Sequence, residues 1–371
     1  MFFFILIFLF NASCEQIISL NISHIYYLPL INLQFKGKEK EFSVQLNNQI
    51  QTSQIDSIPY DQFAEECKLE KEASYKGGRE YKLYFCSSNI GFNQKFLSPL
   101  FYFYVTKNQM SYIDSRNQGV SMSFSNLNQS HSIIHQLFKN KEIGKLQFAF
   151  QYINKTDNYI HIGGVPNIEQ LLYPHQAKCL INQTAKIWGC DINKIYIGRK
   201  EYIFNVIASF HSAVDGFIES RMFFNFMKEI VLQKQVSSNK CEPFDDFDSK
   251  DILYCEKGSL EGVDDLTFVF NNFTFTIPIK ELFIFNGHSY FSKFSYDFYD
   301  LNKFDFGYQF IRLFNLSLFD YDKAEISFYT YSNGLNQKIT TYNIEYILLS
   351  IILICSFNSI FLYFHYRKII K

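Results

Sequence analysis

The chain has 371 residues, a formal net charge of −1 and 19% aromatic residues, among them 43 Phe and 26 Tyr. Scattered Lys and Arg at near-neutral net charge argue against a nucleic-acid binder, and eight cysteines with no CxxC pair argue against the usual zinc modules. The stretch from Glu15 to about Asn343 is too long for one small core, so one large β domain or two lobes are expected.

From the N-terminus, Met1 to Phe10 is almost wholly Phe, Ile and Leu, and Ala12-Ser13-Cys14 supplies small residues before Glu15. This is the pattern of a secretory signal peptide over residues 1–14, although its basic start is missing. Tyr26–Phe35 and Glu41–Ile50 are expected as strands joined at Lys36-Gly37-Lys38. Leu97–Val105 is an aromatic strand. His131–Lys139 sets Ile133, Ile134, Leu137 and Phe138 at helical spacing. Leu146–Tyr152 and Tyr159–Ile162 follow as strands and end at Gly163-Gly164. The second half repeats the style, with a hairpin over Lys186–Gly198, a strand over Tyr202–Ala208 and a helix over Phe223–Val231. Strands are then expected at Leu266–Phe270, Phe273–Ile277, Phe310–Phe319 and Ala324–Tyr329. Short strands at regular spacing with two brief helices indicate a mainly β class.

Ile347 to Phe364 is 18 residues without a charge. A membrane span needs ~20 apolar residues. Tyr346, Tyr363 and Tyr366 suit the interfaces, and Arg367, Lys368 and Lys371 follow. The expectation is a single-pass type I protein: a juxtamembrane linker at 334–346, a transmembrane helix at 347–366 and a cytoplasmic tail at 367–371. Everything before the span then lies in the secretory lumen or outside the cell. A lipid anchor after Ser332-Asn333-Gly334 is the alternative, and the basic ending argues against it.

Cys14 leaves with the signal and Cys355 lies in the span. The other six fall into neighbouring pairs, Cys67/Cys86, Cys179/Cys190 and Cys241/Cys255. An even number in an oxidising compartment reads as three disulfides, with several connectivities open and neighbour pairing the expectation. Sequons at Asn21, Asn128, Asn154, Asn182, Asn272 and Asn315 are candidate glycosylation sites.

Several stretches, taken in order, resemble the pepsin-like aspartic peptidase family. Phe304-Asp305-Phe306-Gly307-Tyr308-Gln309-Phe310-Ile311-Arg312, followed by Phe319-Asp320, is similar to the family's aromatic–x–Leu-Gly-Asp–x–Phe-Leu-Arg…Phe-Asp segment, with Tyr308 in place of the Asp. Ile187 to Gly198 resembles the Tyr-Trp hairpin that opens the second lobe. Phe148–Tyr152 with His161-Ile162-Gly163-Gly164 resembles the strand pair that closes the first. Asn117 to Phe124 is similar to the family's Gly-Ile-x-Gly-Leu-Gly-Phe. The resemblance implies a bilobal fold of two β-barrel-like lobes, here 24–175 and 176–333, around a central cleft.

It also implies a dyad of aspartates, one from each lobe, sharing one proton around a water. Here the first Asp-Thr-Gly-Ser turn aligns with Asn47-Asn48-Gln49-Ile50 and the second with Ser209-Phe210-His211-Ser212. Neither Asn47 nor Ser209 titrates near working pH, so no catalytic residue is expected and the member is degenerate. Asp215-Gly216 and Asp56 are the competing registers for an acid. Tyr84 is the candidate flap tyrosine, with Tyr75 as competitor and a packed strand tyrosine as the plain alternative. The family's prosegment has little room here, with about ten residues between Glu15 and Tyr26.

His131 and His135 have metal-ligand spacing but no third ligand, and a surface or half-buried helix pair is expected. Asp245, Asp246, Asp248 and Asp251 lack the ordered calcium-loop pattern and read as a solvated loop. Ser209 and His211 form no triad by spacing alone. The expectation is therefore a membrane-anchored peptidase-like protein without catalysis, metal or cofactor, whose cleft takes a peptide or protein. The alternatives are an active aspartic endopeptidase with misassigned acids and a structural surface glycoprotein.

Overall fold

The computed structural model describes residues 17–25, 28–35, 41–47, 67–74, 80–92, 95–107, 120–122, 124, 132–154, 157–168, 171–181, 187–214, 216–245, 251–295, 303–331 and 335–337. The expected signal segment 1–14, span 347–366 and tail 367–371 lie outside these residues. Among the described residues no helix is long and apolar enough to cross a membrane.

The first half contains β1 (Ile18–Asn21), β2 (Ser23–Ile25), β3 (Leu28–Phe35), β4 (Glu41–Asn47), β5 (Cys67–Ser74), β6 (Glu80–Phe92), β7 (Lys95–Lys107), β8 (Val120–Ser121), helix α1 (Ile133–Lys139), β9 (Gln147–Tyr152) and β10 (Asn158–Ile162). The second half opens with β11 (His175–Leu180), β12 (Gly189–Ile197), β13 (Lys200–His211) and β14 (Ile218–Glu219). Helix α2 (Arg221–Phe226) runs through a π-helical turn at Met227–Val231 towards α3 (Gln233–Ser237). Then come β15 (Cys241–Asp245), β16 (Asp251–Glu256), β17 (Leu266–Phe270), β18 (Phe273–Ile277), β19 (Phe283–Phe285), β20 (Ser289–Ser292) and β21 (Phe294–Ser295). The last elements are β22 (Lys303–Gly307), α4 (Tyr308–Ile311), β23 (Leu316–Asp320), β24 (Glu325–Thr330) and β25 (Leu335–Gln337).

These strands make four sheets. The first half builds one around β5-β6-β3-β4-β8, and the second builds another in the order β21-β14-β22-β13-β12-β17-β18-β25. A smaller sheet, β15-β16-β20-β19, belongs to the second half. The fourth, β1-β10-β9-β23-β24-β11, takes three strands from each half. Its central ladder sets Phe319 opposite Phe148 and Leu318 opposite Ala149.

Alternation explains the strands. In β18, Phe273, Phe275 and Ile277 point inward, while the hydroxyls of Thr276 and its neighbour across the ladder, Thr267, meet at 2.9 Å. In β13, Ala208 and Phe210 face an aromatic core in which Phe210 meets Phe306, Phe310 and Phe328. Fully buried Phe306 also touches Phe217, Phe268, Phe270 and Phe304.

Three expectations are corrected. Phe310–Phe319 is not one strand: Phe310, Ile311 and Phe314 are buried at helical spacing, so α4 turns before β23 begins. Lys186–Gly198 is not a closed hairpin: β12 is a single strand that pairs with β13 beyond the Gly198-Arg199 turn. The lobe boundaries also fall short. Strand β1 precedes residue 24, and β25 lies inside the expected linker 334–346 because buried Leu335 completes the sheet opposite Phe275. The three disulfides form between the expected neighbours. Cys67–Cys86 and Cys241–Cys255 face each other across ladders, and Cys179–Cys190 ties β11 to β12.

Replacing Phe306 by Ala removes the ring that the second-half core closes on. The expected loss is about 3–5 kcal/mol of unfolding free energy, read from the urea midpoint.

Candidate functional site

Each half contains a long central strand that runs parallel to a short later one. In the first half Leu46 lies opposite Val120 and Asn47 opposite Ser121. In the second Phe210 lies opposite Phe306 and His211 opposite Gly307. β13 ends at His211, and Asn47 is the last described residue of β4. The two ladders set Asn47 and His211 in matching places, each opposite the short later strand of its half.

Past His211 the chain crosses over β22. Tyr308 N–H donates to the Val214 carbonyl at 2.8 Å, and Gly307 N–H donates to the Phe217 carbonyl at 3.0 Å. A Cβ on Gly307 would collide with the carbonyl oxygens of Gly216 and Val214, so glycine is what lets the crossing close.

The two strand ends are tied directly. The buried Ser212 hydroxyl donates to the Leu46 carbonyl at 2.9 Å, across 166 residues of sequence. The residue after His211 thus holds the residue before Asn47. A second tie lies behind it. The carbonyl of Met122, next after Ser121, accepts from Trp188 Nε1 at 2.9 Å and from the Tyr321 hydroxyl at 2.8 Å.

Ser209, the expected second dyad position, lies two residues before the end of β13, paired on one side with Gly189 and on the other with Asp305. Ala213 follows His211-Ser212, so no glycine in the sequence marks the end of this strand. The serine after His211 was the available signal.

Ser209 belongs to a polar row across four strands, Ser209–Asp305–Glu219–Ser295, each opposite the next. All four are buried. The neighbouring row on the other face is Phe210–Phe306–Ile218–Phe294, packed into the lobe core. Lys303 Nζ lies 3.3 Å from Asp305 Oδ2. A hydrophobic core would not accept that row, so it marks the face of the sheet turned away from the core.

Tyr84 is a buried residue within β6, flanked by Leu69 and Val105 on neighbouring strands. Tyr75 follows the end of β5 and, with Asp56, Asp215, His131, Asp246 and Asp248, lies outside the described residues. Asp245 and Asp251 face each other at the end of the β15–β16 ladder. His135 is not a surface residue but is buried on α1. Among the described residues no three His, Cys, Asp or Glu side chains are grouped to hold a metal ion.

Of the sequons, Asn128 and Asn182 lie outside the described residues. Asn21 and Asn154 are exposed and Asn272 is half-buried. Asn315 uses its amide inside the fold, donating to the Tyr152 carbonyl and accepting from Tyr331 N–H. A cavity of about 400 Å³ sits elsewhere, on the shared sheet, but its carboxylates are held internally. Gln147 and Lys323 hold Asp320, and Lys178 and Ser327 hold Glu325.

No protein-family profile and no curated protein sequence matches this chain. Among solved structures it is similar to an aspartic proteinase from Irpex lacteus, at a TM-score of 0.62 and 11% identity, covering 85% of this chain and 97% of that one. The fold is pepsin-like. At that identity the likeness concerns the fold alone, and the chemistry of this pepsin-like chain has to be read from its own residues.

Ser212→Ala should cost about 1–3 kcal/mol, because the Leu46 carbonyl keeps its burial and loses this donor, whereas Ser212→Thr should stay near wild type in chemical denaturation. Gly307→Ala should cost at least about 3 kcal/mol or yield no folded protein.

Proposed function

We propose that the chain is a non-catalytic, membrane-anchored protein of pepsin-like shape that binds a peptide or protein segment in the cleft between its lobes. The observation that carries this is the pair of residues at the two tied strand ends. They are Asn47 and His211, where a dyad mechanism needs two carboxylates. That mechanism requires an acid and a base sharing one proton about a water. An amide does not titrate in this range, and a single imidazole supplies one titrating group where two are needed.

The binding half of the proposal rests on what remains. The ladders, the crossing at Gly307 and the tie from Ser212 to Leu46 keep the two halves in register, and concave sites between lobes are where ligands bind. Lobes near 24–175 and 176–333, extended by β1 and β25, would stand on the lumenal or outer side of a membrane. The apolar segment 347–366 supports an anchor there, and Asn21, Asn154 and Asn272 support surface glycosylation.

One observation favours the second reading, an active endopeptidase with other acids. Asp305 and Glu219 lie directly opposite each other and are buried. The ammonium of Lys303 beside Asp305 weighs against it, because an ion-paired carboxylate is poorly suited to share a proton.

The test is cleavage of a diverse peptide pool by the purified chain between acid and neutral pH, with and without pepstatin, beside equilibrium binding of the same pool. The wild type is expected to leave the pool intact and to bind some members saturably. Pepstatin-sensitive cleavage by the wild type that Asp305→Asn or Glu219→Gln abolishes would replace this reading with the second. Of two double variants, Asn47→Asp/His211→Asp should gain pepstatin binding and Asn47→Asp/Ser209→Asp should not.

A further inference from the structure

His135 is buried on α1, and neither ring nitrogen has a hydrogen-bond partner. Proteins rarely bury an imidazole this way, because each unmade hydrogen bond carries a desolvation cost. Its place in the fold gives the cost a use. The ring packs edge-on against Tyr321, with centroids 4.7 Å apart. Tyr321 gives its hydroxyl to the Met122 carbonyl and packs against Trp188 at 4.8 Å. Trp188 binds the same carbonyl and packs on Phe124, Phe148 and Phe319. Met122 follows Ser121, which pairs with Asn47. One chain of contacts thus runs from His135 through the joint between the halves to the candidate site.

We propose that His135 is an acid-operated release for this joint: its protonation loosens the clamp of Trp188 and Tyr321 on Met122 and so frees the first half's side of the cleft. Burial lowers the His135 pKa from its ordinary 6.5 to about 4. Charging the ring in place is therefore costly, and a state that lets water reach it gains protons first. The sign follows directly. Above pH 6.5 both states are neutral and the joint is fully stable. As pH falls towards 4 the open state takes up the proton ahead of the closed state, which favours opening by about 150-fold at pH 4 and by about 300-fold at the limit below it.

The groups nearest the ring do not oppose this. Tyr321 is neutral throughout, its hydroxyl held well above the usual range by burial. On the same turn, Lys323 pairs with Asp320, which also accepts from Gln147 and from the Lys323 backbone N–H, and Asp322 is held above the ordinary carboxylate range by burial and by Asp320. From β7, Tyr102 meets α1 through its backbone N–H, which donates to Gln136. Lys139, Lys141 and Glu142 follow on the exposed end of α1. His161 is a natural control. It is buried in the shared sheet and its pKa is also lowered by burial to about 4, but its nitrogens meet Ser19 and Gln151.

The chain has one tryptophan, Trp188, and it sits in the joint. Its fluorescence, followed in the purified full chain from pH 7.5 to 3.5 beside far-ultraviolet circular dichroism, reports the release. The expected result is a reversible red shift between pH 6.5 and 4 while β content holds. His135→Phe should remove that shift or move it at least one pH unit lower, and His161→Asn should leave it in place. His135→Gln, polar but unable to titrate, serves if the Phe variant does not fold, and should behave the same way. An unchanged transition in the His135 variants, a wild type with no shift, or loss of β content in step with the fluorescence would overturn the proposal.

Discussion

The molecule depends on the ladder between β9 and β23. It is where the two halves become one sheet, and its stacked pair Phe148 and Phe319, 4.6 Å between centroids, forms the floor on which Trp188 and Tyr321 sit. Those two side chains then reach across to a single carbonyl, that of Met122. Apolar stacking supplies most of the energy, while the two hydrogen bonds supply position. The placement of Asn47 relative to His211 follows, since Ser121, the residue before Met122, is also the partner of Asn47.

A second constraint is steric. Gly307 is the one residue of β22 whose side-chain space is taken by the crossing backbone. The crossing needs a glycine on the strand that is crossed, not on the strand that ends. This explains how the crossing in the second half closes with Ala213, not a glycine, after His211-Ser212. It also separates shape from chemistry. The residues at the ends of β4 and β13 take no part in ladder, crossing or tie through a carboxylate, so the fold by itself prescribes no reaction.

The sequence disclosed the class of fold and most strands because alternation is strong in segments such as Phe273–Ile277 and Leu266–Phe270. It misled where apolar residues ran together. Phe310, Ile311 and Phe314 are apolar in both periods, and only the contacts of Tyr308 with the crossing decide for a helical turn. A charged hairpin and a clean alternation lead up to Asn47. Around Ser209 the signal is weaker: Phe204 to Phe210 is mostly apolar, so nothing local marks the end of the strand, and its parallel partner lies 96 residues further on. For Tyr84 the difficulty is length, since sequence cannot tell the middle of β6 from its tip.

The buried polar groups were the least legible, and they are the most informative. Ser209, Asp305, Glu219 and Ser295 are far apart in sequence and unremarkable one by one. They become a row only when four strands align. His135 had the look of one half of a surface pair with His131, because helical spacing predicts neighbours on a face and not which face is covered. Its burial is settled by Tyr321, some 186 residues away. In each case tertiary contacts override a local pattern, and a polar group is kept where an apolar one would pack at lower cost.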